Sequence, residues 1–75
     1  MRFRITVNSR EHDVIAPGPL LRLTYGAVVA LVRPVDPYRL YHIVYGDRAW
    51  KTGGELPPGQ SVDVADGAIF YVADW

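Results

Sequence analysis

At 75 residues the chain makes a single domain (1–75) close to the smallest size at which one apolar core suffices, and without cysteine it has neither disulfides nor thiolate metal ligands for support. Apolar residues make up 49% of the chain, which excludes a disordered segment, while eight basic and eight acidic side chains cancel, which argues against a surface that tracks a phosphate backbone. All the basic residues except Lys51 are scattered arginines, and no apolar run approaches the ~18 residues of a membrane span. Met1-Arg2-Phe3-Arg4 alternates charged and apolar residues instead of leading into a signal-peptide core, so a cytoplasmic protein that contacts neither membrane nor nucleic acid is expected.

Arg2 to Val7 alternates strictly, with Phe3, Ile5 and Val7 on one face and Arg2, Arg4 and Thr6 on the other, the pattern of a half-buried strand. Asn8-Ser9-Arg10 reads as a turn and Glu11 to Ala16 as a second, antiparallel strand with Val14 and Ala16 on its core face. Two prolines around a glycine in Ala16-Pro17-Gly18-Pro19 end that strand. Leu20 and either Leu21 or Leu23 are expected to anchor the connection that follows, with Arg22 in solvent.

Between Leu23 and Val32 the period changes. Tyr25, Val28, Val29 and Val32 fall at i, i+3, i+4 and i+7, Thr24 can cap the first turn, and Pro34 forbids continuation, so a helix of about nine or ten residues is predicted. Its valines and its glycine are poor helix formers, so packing must hold it. After the stiff turn Arg33-Pro34-Val35-Asp36-Pro37, Leu40 to Tyr45 is a third strand.

Arg48 to Glu55 is the least readable segment, with Gly53-Gly54 expected as a turn. Leu56 to Gln60 is another turn, Ser61 to Val64 is extended, Asp66-Gly67 is a tight turn, and Ala68 to Val72 is a last strand, apolar on both faces as a central strand should be. Phe3, Ile5, Val7, Val28, Val29, Val32, Val62, Ile69 and Val72 are the predicted core. Hairpin, helix, strand, irregular stretch and strand make an α+β chain whose expected architecture is a β-grasp: a mixed four- or five-stranded sheet, helix across one face, last strand parallel to the first.

Chemical constellations are nearly absent. His12 and His42 sit in strand patterns with no second ligand at metal-binding spacing, Ser9 and Ser61 lack a nucleophile-elbow motif, and the glycines do not form a phosphate loop. Neither an enzyme, nor a metal, nor a cofactor is expected. In the third strand, either Tyr41, Ile43 and Tyr45 face inward and His42 and Val44 outward, or the reverse holds; alternation alone does not choose, because a slip of one residue exchanges the faces.

Three groups of residues resemble the ubiquitin-like superfamily, and more closely the bacterial multi-ubiquitin domain family: Phe3-Arg4-Ile5-Thr6-Val7-Asn8 with Arg10-Glu11-His12; Leu23-Thr24-Tyr25 with Val28-Val29-Ala30-Leu31; and Pro58-Gly59-Gln60-Ser61-Val62 followed by Asp66-Gly67-Ala68-Ile69-Phe70. The resemblance implies a protein modifier, or one unit of a multi-ubiquitin precursor, with activating, conjugating and deconjugating enzymes as partners. It also implies a recognition patch around Ile43, flanked by His42 and Val44, and a working C-terminal tail, here Ala73-Asp74-Trp75, expected to project beyond the sheet. The chain departs from ubiquitin in ending Val72-Ala73-Asp74-Trp75 where modifiers carry a di-glycine, and the internal Gly53-Gly54 is no substitute, since cleavage there would remove the last strand. The alternative is a domain that docks on partners non-covalently; a sulfur carrier of the same fold is disfavoured because it too needs a terminal di-glycine.

Overall fold

The computed structural model describes residues 1–32, 40–47 and 53–74. Among the described residues seven strands and one helix follow in the order β1 (Arg2–Val7), β2 (Arg10–Ile15), β3 (Leu21–Thr24), α1 (Tyr25–Val29), β4 (Tyr41–Gly46), β5 (Gly53–Glu55), β6 (Ser61–Val64) and β7 (Ile69–Asp74). Five of them form a mixed sheet in the order β2-β1-β7-β4-β5, and β3 and β6 make a separate two-stranded ribbon. The domain is α+β, with one short helix among the described residues.

The first hairpin forms as expected except that Arg10, expected in the turn, opens β2, and β2 ends at Ile15, one residue before Ala16. Val7 pairs with Arg10, and the two residues between them, Asn8 and Ser9, both take positive φ (50° and 69°), as a twist-matched two-residue hairpin turn requires. Phe3, Ile5 and Val7 are buried, as is Ala16, whose amide bonds to the Met1 carbonyl.

From this hairpin the last strand takes its place. Asp66 accepts a hydrogen bond from the Arg4 amide (2.7 Å), and Gly67, at φ 92°, donates to the Arg4 carbonyl (2.9 Å). The chain is thus delivered alongside β1, where β7 pairs in parallel, Thr6 opposite Ile69 and Val7 opposite Phe70. The pairing puts Phe70 and Val72 in the core. Ile69, expected in the core, instead lies half-buried on the opposite face, because strand neighbours alternate and its partner Thr6 faces outward.

The helix is correctly capped but shorter than its stripe suggests. Thr24 Oγ1 accepts from the Ala27 amide at 3.1 Å, and α1 spans five residues. Beyond it the chain tightens: Leu31 donates to Val28 and Val32 to Val29 in i to i+3 bonds, which keeps both side chains against the core without a regular α-helix. Val28 and Val29 are buried, and Tyr25 and Val62 pack at the core margin.

Two other segments differ from expectation. Leu21 to Thr24 is a strand paired with β6 (Leu23 opposite Val62), so Leu21 and Leu23 are both buried while Leu20 is 53% exposed and anchors nothing. Gly53 and Gly54 form no turn; they belong to β5, opposite Gly46 and Tyr45. At Gly53 smallness is needed for another reason, since a Cβ there would stand 2.5 Å from the Tyr45 carbonyl oxygen. No helix among the described residues is long and apolar enough to cross a membrane.

Candidate functional site

The face of the five-stranded sheet away from the helix is built from residues that alternate with the core. Strand partners share a face, so the register lays out the surface. Arg2 and Ile15, Arg4 and Asp13, and Thr6 and Glu11 stand opposite one another on β1 and β2; on β7 and β4 the pairs are Ile69 with Gly46, Tyr71 with Val44, and Ala73 with His42. Val44 is in turn opposite Glu55 on β5.

The result is an apolar centre with a polar margin. Ile69, Tyr71 and Ala73 lie on the central strand β7 and Val44 on its neighbour β4, and Tyr71 is 54% exposed. On one side Arg4 lies 3.4 Å from both Glu11 and Asp13; on the other His42 Nε2 lies 3.5 Å from Glu55. These exposed pairs contribute little stability, but they leave the centre as the part of the face that gains from being covered. Tyr71 is suited to that role, offering a large ring with one polar atom and few torsions to immobilise.

The third strand resolves its ambiguity inward. Tyr41 and Ile43 are buried, Ile43 to 1%, and Tyr45 packs on Phe70 with ring centroids 6.0 Å apart. Ile43 therefore belongs to the core and cannot centre a recognition patch. Of the expected trio only His42 and Val44 reach the outer face, both half-buried. Sequence reasoning missed Tyr71 and Ile69 as members of this surface. The available signal was the run Ile69-Phe70-Tyr71-Val72, apolar at every position, which a strand needs only if both faces are to be covered.

The tail also differs from expectation. Ala73 and Asp74 do not project beyond the sheet: they continue β7, opposite His42 and Tyr41. Trp75 lies outside the described residues.

A recess of about 260 Å³ at the other end of β4 is bordered by Asp47, Asp63, Asp66, Tyr45 and Gly53. Two of its carboxylates have structural work: Asp66 holds the Arg4 amide, and Asp63 takes two hydrogen bonds from Arg22, Nε at 2.9 Å and Nη2 at 3.3 Å. The hydrogen bond from Arg22, with a smaller contribution from its charge, holds the Asp63 carboxyl below the ordinary aspartate range against the opposing effect of desolvation. Among the described residues no group of three or more histidine, aspartate or glutamate side chains is placed to hold a metal ion.

Comparison of the chain with known protein families, with curated proteins and with solved structures returns no match.

Proposed function

We propose that this chain is a β-grasp domain of ubiquitin-like type and that it works by being recognised by other proteins, as a modifier or one unit of a multi-ubiquitin precursor handled by cognate activating, conjugating and deconjugating enzymes. The fold part is supported by the sheet order β2-β1-β7-β4-β5 with its parallel pair β1 and β7, the element order of a hairpin followed by a helix, and the helix packed on one face only. The observation that carries the functional part is the outer face, where Tyr71, Val44, Ile69 and Ala73 form an apolar centre between two charged margins, the composition of a surface built to be covered by a protein.

A second reading, non-covalent docking through the same face, is favoured by the pairing of Ala73 and Asp74 with β4, which keeps that stretch of backbone in the sheet. Incubation of the full-length protein with its host's activating enzyme and ATP separates the two. Under the modifier reading an adenylate and then an enzyme thioester are expected by mass spectrometry, and Tyr71→Ala weakens their formation. No adenylate from the unmodified protein, together with capture of host proteins that Tyr71→Ala abolishes, would overturn the modifier reading in favour of docking. Capture and activation both indifferent to Tyr71→Ala would remove the outer face from either.

A further inference from the structure

The terminal part of the β4–β7 ladder is flanked on both sides by side chains that imitate a neighbouring strand, one bonded to β7 and the other to β4. Along β7, peptide groups point alternately to its two neighbours. The Ala68 and Phe70 carbonyls face β1, accepting from the Thr6 and Asn8 amides at 3.0 and 3.1 Å. The same parity turns Val72 toward β1, but the hairpin has already turned away at Asn8 and Ser9. The Asn8 side chain fills the place: Nδ2 donates to the Val72 carbonyl at 2.9 Å, and Oδ1 accepts from the Val72 amide at 2.8 Å. A primary amide has the donor and acceptor of a peptide group, so the β1–β7 ladder gains one more rung without a backbone.

On the far side the arrangement repeats with a different group. The Ile43 carbonyl accepts from the Leu56 amide, so Tyr41, two residues earlier, also turns its peptide groups away from β7. At this point β5 has ended, since its pairing covers only Val44 to Gly46. The Tyr25 hydroxyl stands there instead, accepting from the Tyr41 amide at 2.8 Å and donating to the Tyr41 carbonyl at 3.3 Å. Tyr25 is the first residue of α1, so the helix start is tied to the start of β4.

Between these two clamps lies the terminal part of the β4–β7 ladder: Ile43 opposite Val72, His42 opposite Ala73, Tyr41 opposite Asp74. We infer that Asn8 and Tyr25 form a two-sided latch that keeps the last residues of β7 in the sheet, and that this end opens as a unit of its own when either clamp is removed, while the body stays folded. The inference rests on backbone geometry and holds whether the domain is conjugated or docks. Its consequence is that access to the backbone from Val72 onward is governed by the first hairpin turn and by the helix start, both distant in sequence.

Amide hydrogen exchange by NMR tests this in Asn8→Gly, which keeps the positive φ that position requires, and in Tyr25→Phe, which keeps the ring. Loss of two hydrogen bonds from a locally opening segment predicts that the Ala73 and His42 amides exchange roughly 10- to 100-fold faster in each variant, with Phe3 and Ile5 at their original rates. Unchanged Ala73 and His42 exchange in both variants, or acceleration in only one, would overturn the latch. So would an equal acceleration at Phe3 and Ile5, which would mean that the variants weaken the whole domain and not the strand end.

Discussion

The two faces of β7 carry nearly the same hydrophobicity and have opposite fates. Phe70 and Val72 are buried against the helix side, whereas Ile69 and Tyr71, interleaved with them, stand on the open side. The chemistry of the side chains does not separate the two sets; parity does, and parity is imposed by pairing with Thr6 and Val7 of β1. The lesson is that an apolar residue in a central strand is evidence for a covered face only after its partner across the ladder is known. Here one covered face is the core, and the other is proposed to be covered by a protein.

The sharpest test of this contrast exchanges neighbours. Phe70→Ala removes a fully buried ring and should cost about 3–5 kcal/mol, enough to unfold a marginal domain in a denaturant titration. Tyr71→Ala truncates a side chain that is 54% exposed and opposite Val44, and should cost about 0.2–1 kcal/mol in the same titration. Equal losses would mean that the two faces are not distinct as described.

A second substitution asks whether exposure alone predicts tolerance. Gly53 is exposed, as Tyr71 is, yet any side chain there meets the Tyr45 carbonyl oxygen, so Gly53→Ala should destabilise by about 1–3 kcal/mol through displacement of β5 from β4. Loss of slow exchange at the Leu56 amide, which bonds to Ile43, would locate the effect; a neutral Gly53→Ala would show that the edge yields freely.

The smallest expected effect lies on the two-stranded ribbon. Asp63 is exposed, and its hydrogen bond with Arg22 depresses its carboxyl below the ordinary aspartate range. The unfolded chain therefore binds this proton first as pH falls. The contribution to stability is present above the ordinary aspartate range and is lost as pH falls through the depressed value. Asp63→Asn should make the acid side of the stability curve slightly shallower as pH falls through and below the ordinary aspartate range, measured by urea unfolding, with little change at neutrality because solvent screens the pair. A large loss at pH 7 would show that the ribbon depends on this pair.

Sequence alone determined the features whose causes are local. Strict alternation in Arg2 to Val7 specified a strand and its buried face; Asn8-Ser9 and Asp66-Gly67 were legible as turns and are realised with positive φ at Asn8, Ser9 and Gly67; Thr24 specified the helix start because its hydroxyl reaches the Ala27 amide. What only the tertiary structure decided depends on partners outside the local pattern of each segment. Leu21 to Thr24 is a strand because Ser61 to Val64 lies beside it, and Gly53 to Glu55 is one because β4 offers its edge. The inward facing of Ile43 follows from its pairing with Val72, and the retention of Ala73 and Asp74 follows from the same ladder. A period of two says that faces alternate, and a period of 3.6 says that a stripe exists; neither says which neighbour arrives to bury it, and that choice is made by contacts between segments.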